Sequence, residues 1–256
     1  MEQLQSNKNF EEQKDVITNP FIKIFLRIKN FKLYEWINFI GMFIFLVSFA
    51  WSIRDFVNYI HMGKPESIFF GVFDRFTNQS NWLLFIFSFM YFLWPNHTFF
   101  KDNKFLISTM VYIFFTFVGY NVVLVGIAGG YGYDIQKPID FVSNFWLHVL
   151  CPIYFIIFGY VFMIQNKNKQ PKKFHKLLLT GMIYPTIYAI YLATIPFVYK
   201  LSDGNSYSVY GGATNTAQNS MSWAYICVMY FIFFPGSYVT FYYSWVGINK
   251  TSLKSN

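Results

Sequence analysis

Six stretches of this chain, at approximately 35–59, 68–94, 104–127, 142–164, 176–198 and 221–247, are long and apolar enough to cross a lipid bilayer. A hydrocarbon core roughly 30 Å thick takes about 20 residues of helix. Lipid offers no partner for backbone N–H and C=O groups, so each stretch must satisfy its own as a helix. The pattern predicts an all-α polytopic membrane protein with six transmembrane helices. Charge content agrees. Only 12% of the residues are charged, where a soluble domain carries about 25%, too few to solvate the outside of so apolar a chain in water. The second stretch is the least regular: it opens on the polar run FGVFDRFTNQSN, and its apolar part is only WLLFIFSFMYFLW.

The net charge of +8 is compatible in principle with a nucleic-acid partner. The distribution of the charge argues for a membrane instead. With the N-terminus placed in the cytoplasm, 15 of the 20 Lys and Arg residues fall on the cytoplasmic side of the six segments and 5 on the other. Basic residues collect on the inner side of membrane proteins, so the expectation is N-in and C-in, a multi-pass protein of the cell membrane, and no nucleic-acid partner. The chain divides into a cytoplasmic arm (1–33), a transmembrane domain (34–247) and a cytoplasmic tail (248–256). The first 18 residues are polar and lack the short apolar core of a cleavable signal. No internal repeat is evident.

Within the arm, NPFIKIFLRIKNFKL (19–33) reads as a basic amphipathic helix. Asn19 is a capping residue and Pro20 suits the first helical position. Phe21, Ile24, Phe25, Ile28 and Phe31 share one face, and Lys23, Arg27, Lys29 and Lys32 lie elsewhere. Such a helix is expected to lie on anionic lipid of the inner leaflet; the plainer alternative is a solvated leader into the first span. The longest outer loop, 199–220, is rich in Ser, Asn, Gly and Thr, and reads either as a flexible flap over an outward-facing site or as a simple connection.

Polar groups at membrane depth are costly and each asks for a reason. One cluster is Thr77-Asn78-Gln79-Ser80-Asn81, preceded by Asp74 and Arg75, at the outer start of the second span. It either lines a polar cavity or provides a helix cap, for which Asp74 and Thr77 are the candidates. The other is NFWLHVLCP (144–152), where His148 is the one histidine inside an apolar helix, with Asn144 four residues before it on the same face. Both segments run from outside to inside, which puts Thr77 and His148 at similar depth. A hydroxyl beside an imidazole is a nucleophile–base pair in the making, although each residue could equally be structural. Cys151 and Cys227 read as packing residues, and Cys151, three residues from His148, leaves a Cys–His acyltransferase open. One histidine without nearby carboxylates is too few ligands for a metal, and no cofactor is called for. Tyr and Thr residues of the third, fifth and sixth spans could line a pathway, which keeps a transporter or channel for a small solute open, as does a non-catalytic membrane partner.

FTNQSNWL, NFWLHVLCPIYFIIFGY and YPTIYAIYLATIPFVY resemble the androgen-induced membrane hydrolase family, which cleaves fatty acid esters of hydroxy fatty acids, and its bacterial relatives. The resemblance spans most of residues 34–247. It implies a six-helix bundle that hydrolyses lipid esters, with Thr77 as nucleophile and His148 as base. Asn78, Asn81 and Asn144 are the amides available to an oxyanion or to substrate; the resemblance does not extend to them. The polar run after Thr77 and the lysine-rich arm depart from the family pattern.

Overall fold

The computed structural model describes residues 20–62, 69–100, 103–127, 132–166 and 173–253. The principal helices there are α1 (Pro20–Lys29), α2 (Leu33–His61), α3 (Phe76–Leu93), α4 (Lys104–Ile127), α5 (Pro138–Gln165), α6 (Phe174–Val198) and α7 (Met221–Lys250). Five of these, α2 and α4 to α7, are long and apolar enough to cross a membrane. α3, the counterpart of the irregular second stretch, is shorter: a π-helical turn (Phe69–Phe73) leads to a break at Asp74 and Arg75, and the helix starts only at Phe76. α2 packs along α3 and α5, and α4 runs through the middle against α3, α5 and α7.

The polarity of α2 is inverted relative to a soluble helix. Its buried side holds Asn38, Gly41, Ser48 and Ser52, and its exposed side holds Leu33, Trp36, Ile40, Phe43 and Val47. Lipid accepts the apolar face, and small or hydrogen-bonding residues let neighbouring backbones approach. The Asn38 amide donates to the Ser88 carbonyl of α3 (3.0 Å), and Trp82 Nε1 donates to Ser52 Oγ (3.0 Å). Ile183, Ile187 and Ile190 present a similar apolar outer face on α6. The centre is aromatic: Phe87 meets Tyr91, Phe100, Phe155 and Phe158 at ring-centroid distances of 5.3–6.2 Å.

Proline shapes the helices around the site. Proline has no N–H and frees carbonyls in the turn before it. In α5 the turn Trp146–Leu150 is π-helical, with the Cys151 N–H donating to the Trp146 carbonyl. The Leu147 carbonyl therefore loses its usual donor, and the next residue along is Pro152. It is satisfied from α3, by the Asn81 amide at 3.2 Å. The His148 carbonyl, four residues before Pro152, accepts from the Asn121 amide of α4 at 3.1 Å. α7 repeats the pattern, with a π turn at Met229–Phe233 before Phe234 and Pro235. In α6 the helix breaks at Met182 ahead of Pro185, and the Gly181 carbonyl accepts from the Tyr112 hydroxyl (2.6 Å). At Pro185 and Pro235 the helices thus change hydrogen-bond register locally, and at Gly181 a neighbouring helix supplies the donor.

One consequence can be measured. Asn81→Leu keeps the volume but leaves the Leu147 carbonyl buried without a donor, which costs about 1–3 kcal/mol. Its unfolding midpoint in detergent should fall accordingly, while Asn30→Leu, whose exposed amide bonds only within the first helical segment, should leave it unchanged.

The amphipathic segment forms α1, ending at Lys29; Asn19 and its expected capping role lie outside the described residues. Arg27 ties α1 to the bundle through the Glu35 carboxylate (3.2 Å) and the Phe92 carbonyl at the end of α3 (2.5 Å). A guanidinium on the last carbonyls of a helix is favoured by the helix dipole. Phe25 and Leu26 remain exposed.

Candidate functional site

α3 begins without a side-chain cap. Its N-cap residue is Arg75, and neither Asp74 nor Thr77 makes the capping bond expected from the sequence. The Phe76 N–H instead donates to two phenols, Tyr188 of α6 (3.0 Å) and Tyr210 of the 199–220 loop (2.9 Å). Asp74 faces the loop: its Oδ2 accepts from Tyr207 (2.6 Å) and Tyr191 (3.2 Å). Burial and the carboxylate push the Tyr207 phenol above its ordinary range, so it stays a donor. The loop is pinned further by Thr216 Oγ1 on the Ala193 carbonyl (2.8 Å), and Val209, Ala213, Thr214 and Thr216 are buried. It is a folded cover over the start of α3, held in place where its composition suggested a flexible flap or a simple connection. Losing the Tyr207 hydroxyl removes a charge-assisted bond worth about 1.5–3 kcal/mol. Tyr207→Phe should therefore raise amide exchange across 203–216 about tenfold or more, with little change in α4.

Two cavities meet beneath this cover. One, of about 260 Å³, is polar and is walled by Arg54, Asp55, Arg75, Asn78, Asn144 and His148 among others. The other, of about 140 Å³, is almost wholly apolar and lies among α4, α6, α7 and the loop, walled by Phe115, Val123, Leu192, Ile226 and Phe233. Thr77, Tyr120, Leu124 and Tyr210 border both. Val228, also in the apolar wall, is 53% exposed, so this part of the wall is a single side chain away from the outer face of α7.

Thr77 and His148, read separately from the sequence, line the same polar cavity. One amide connects their backbones: Asn81 Nδ2 donates to the Thr77 carbonyl (2.8 Å) as well as to Leu147, the neighbour of His148. His148 is 7% exposed, stacks face to face on Tyr120 (3.5 Å between centroids, 10° between planes), and has the Thr116 backbone as a polar neighbour. Its Nδ1 has no hydrogen-bond partner among the described residues. The three amides differ in position. Asn78 lines the cavity while its Nδ2 holds the Val72 carbonyl (2.8 Å). Asn144 lines it with only a long bond to Gly132 (3.4 Å). Asn81 is fully buried behind the wall and lines neither cavity. Cys151 Sγ is 3.2 Å from Ser48 Oγ, also away from both. Among the described residues no three His, Cys, Asp or Glu side chains gather as a metal site.

Sequence reasoning missed Tyr207 and Tyr210 as site residues. Tyr120 was visible as a polar group in the middle of its span; its stacking partner was not.

The fold and cavities define a multi-pass α-helical membrane protein with an amphipathic site under a folded loop. A family described as "Protein of unknown function (DUF1600)" matches residues 141–251, which include His148, Asn144 and the cover loop. Uncharacterized protein MG452 of Mycoplasma genitalium is 40% identical over 172 residues, covering 66% of this chain and 65% of that protein. Its homolog in Mycoplasma pneumoniae is 38% identical over 211 residues, covering 80% and 82%. Uncharacterized protein MG133 of Mycoplasma genitalium is 32% identical over 209 residues, covering 72% and 79%. The chain belongs to the family of these mycoplasma proteins. No solved structure matches it.

Proposed function

We propose that this protein is an integral membrane hydrolase of lipid esters, with six spans, both termini in the cytoplasm and the covered site facing outward in the cell membrane. α3 counts as the sixth span. The positive-inside bias supports the orientation, and α1 then lies against anionic lipid of the inner leaflet. The observation that carries the enzymatic reading is the place of Thr77: on the border of a polar and an apolar cavity, in one wall with His148. An ester of an amphiphile has its carbonyl at such a border, and entry from the bilayer would pass the thin wall at Val228.

The chemistry follows from the groups present. A ring nitrogen of His148 that donates to the Thr116 backbone leaves Nδ1 as the lone pair. Thr77 Oγ attacks the ester carbonyl and its proton passes to His148. The C–O bond breaks, the alcohol takes that proton, and an acyl-threonine remains. Water then attacks the acyl carbon, losing a proton to His148; the acyl–threonine bond breaks, and that proton returns to Thr77 as the fatty acid leaves. Asn78 and Asn144 are the side-chain amides of the wall that could steady the oxyanion. Were a second lipid alcohol to replace water, the same intermediate would give acyl transfer. Fluorophosphonate labelling of the detergent-purified protein tests this reading: adduct mapped to the peptide containing Thr77 supports it, and no labelling, or labelling elsewhere, counts against it.

One observation favours a second reading, a small-solute pathway. At the opposite end of the bundle a cavity of about 780 Å³ is lined by Gln79, Ser80, Ser108, Tyr112, Thr180 and Tyr184. One turn of α3 separates it from the site, closed by Ser80 on Thr116 (2.6 Å) and by Gln79 on Tyr184. Solute flux into proteoliposomes that survives loss of both Thr77 and His148 would select this reading.

A further inference from the structure

The charges in the wall of the polar cavity leave little for a charged ligand to meet. Arg54 is bonded to Asp55 through Nε (3.0 Å) and one terminal nitrogen (2.8 Å), and its guanidinium lies over the Trp51 ring (4.8 Å). The Arg75 guanidinium stabilises the carboxylate of its neighbour Asp74, and Asp140 is exposed to solvent. The charged side chains that line the cavity also balance, Arg54 and Arg75 against Asp55 and Asp140. A phosphate or an ammonium entering here would either break the Arg54–Asp55 pair or bring in a charge that the wall as a whole does not answer.

What the wall leaves unanswered is neutral. Two buried side-chain nitrogens of the lining residues have no hydrogen-bond partner among the described residues, His148 Nδ1 and Trp51 Nε1. The first is the base of the reaction proposed above; the second has no part in it. An indole N–H can only donate, so what it lacks is an acceptor. Asn144, in the same wall, makes only the long bond from Nδ2 to the Gly132 carbonyl (3.4 Å), and its amide oxygen is an acceptor. Trp51 belongs to α2 and Asn144 to α5. A donor and an acceptor on two helices match a hydroxyl, which accepts through its oxygen and donates its own proton. On the far side of Thr77 the apolar cavity, about 140 Å³, is comparable to the roughly 150 Å³ that holds a benzene, enough for the first carbons of an acyl chain.

We infer that the ligand is a neutral lipid ester with a hydroxyl-bearing head, of the glyceride kind: a head hydroxyl accepts from Trp51 Nε1 and donates to the Asn144 amide oxygen, and the acyl chain enters the apolar cavity past Thr77. The assignment of the ester to Thr77 rests on the hydrolase reading; the site for the head does not, because it is a statement about binding. An uncharged head leaves the Arg54–Asp55 pair intact and gives the buried indole N–H the acceptor it lacks, whereas a charged head is disfavoured by the same wall.

The test is equilibrium binding to the full-length protein in maltoside micelles, on a Thr77→Ala background so that no turnover intrudes, with dissociation constants referred to the free probe. The probes put the same hexanoyl chain on different heads: monohexanoylglycerol, methyl hexanoate and hexanoyl lysophosphatidylcholine, with free glycerol beside them. The glyceride is expected to bind about fivefold or more tighter than the methyl ester or the charged lipid. Trp51→Phe keeps a ring against the Arg54 guanidinium and removes only the N–H side of the indole. It should erase most of the glyceride's advantage over methyl hexanoate, and Asn144→Leu should erase part of it. An advantage that is absent, or indifferent to Trp51→Phe, overturns the site. Lysophosphatidylcholine binding as tightly as the glyceride overturns the neutral head. Free glycerol binding as tightly as the glyceride overturns the lipid as its source. The two readings fail separately. Selective glyceride binding with no ester cleavage by the wild type sinks the hydrolase and keeps the head site. Cleavage of all three esters by the wild type, with no difference in their binding, does the reverse.

Discussion

Thr77→Ala is expected to bring ester hydrolysis down roughly a thousandfold or more, to the level of the uncatalysed reaction in the same micelles. His148→Ala should cost about 10²–10⁴-fold, the usual span for a general base. The two losses should not add, because in the proposed reaction the proton leaving Thr77 Oγ has His148 as its acceptor. The double variant should therefore resemble Thr77→Ala alone. His148 also fills the space against Tyr120, so His148→Phe is the better control for packing: it keeps the stacked ring, should hold the unfolding midpoint, and should be as inactive as His148→Ala. Hydrolysis by His148→Phe within tenfold of wild type would reduce the imidazole to a packing group. A rate loss in Thr77→Ala of less than tenfold would remove the nucleophile from the proposal.

The second large effect is on stability and lies away from the site. Gly181 stands at the break in α6, and a Cβ added there would occupy the space of the Tyr238 phenol. Tyr238 is fully buried, so its ring has no free volume to retreat into. The Gly181 carbonyl is also the acceptor for Tyr112. Gly181→Val should cost about 3 kcal/mol, the upper part of the range for overpacking a tight core, read as a lowered midpoint in detergent-denaturant unfolding. Gly181→Val in a Tyr238→Leu background should recover part of the loss, because the obstructing ring is gone; a double-mutant cycle isolates that coupling. Additive losses would mean that the close approach is not what fixes the glycine. Gly212, whose added Cβ would meet nothing within 4 Å, is the comparison position.

The Asn residues show how far composition could go. Asn78, Asn81 and Asn144 look alike in the sequence, three amides near the starts of two helices. In the folded chain Asn144 and Asn78 reach the cavity, whereas Asn81 spends its amide on the Thr77 carbonyl of its own helix and on the Leu147 carbonyl that the π turn before Pro152 leaves without a donor. The need for a donor at Leu147 arises only once α5 adopts that turn beside α3. The cover loop was similar. Its Ser, Asn and Gly content suggested a flexible flap or a plain connection, and what pins it as a folded cover is Tyr207 and Tyr210 reaching the start of α3, 130 or so positions earlier in the chain.

What the sequence determined by itself is the helical membrane architecture and the two segments that carry the candidate chemistry. Hydropathy over about 20 residues is a local property, and lipid leaves a backbone no choice but to bond within its own segment. A histidine or a run of amides inside such a segment is equally visible without knowing its neighbours. Only the tertiary structure decided that Thr77 and His148 share a wall, that an apolar cavity adjoins them, that charges of both signs face the same space, and that the loop closes over it. Each is a relation between helices far apart in sequence. It is fixed by packing between faces and by carbonyls that proline leaves for a neighbouring helix to satisfy.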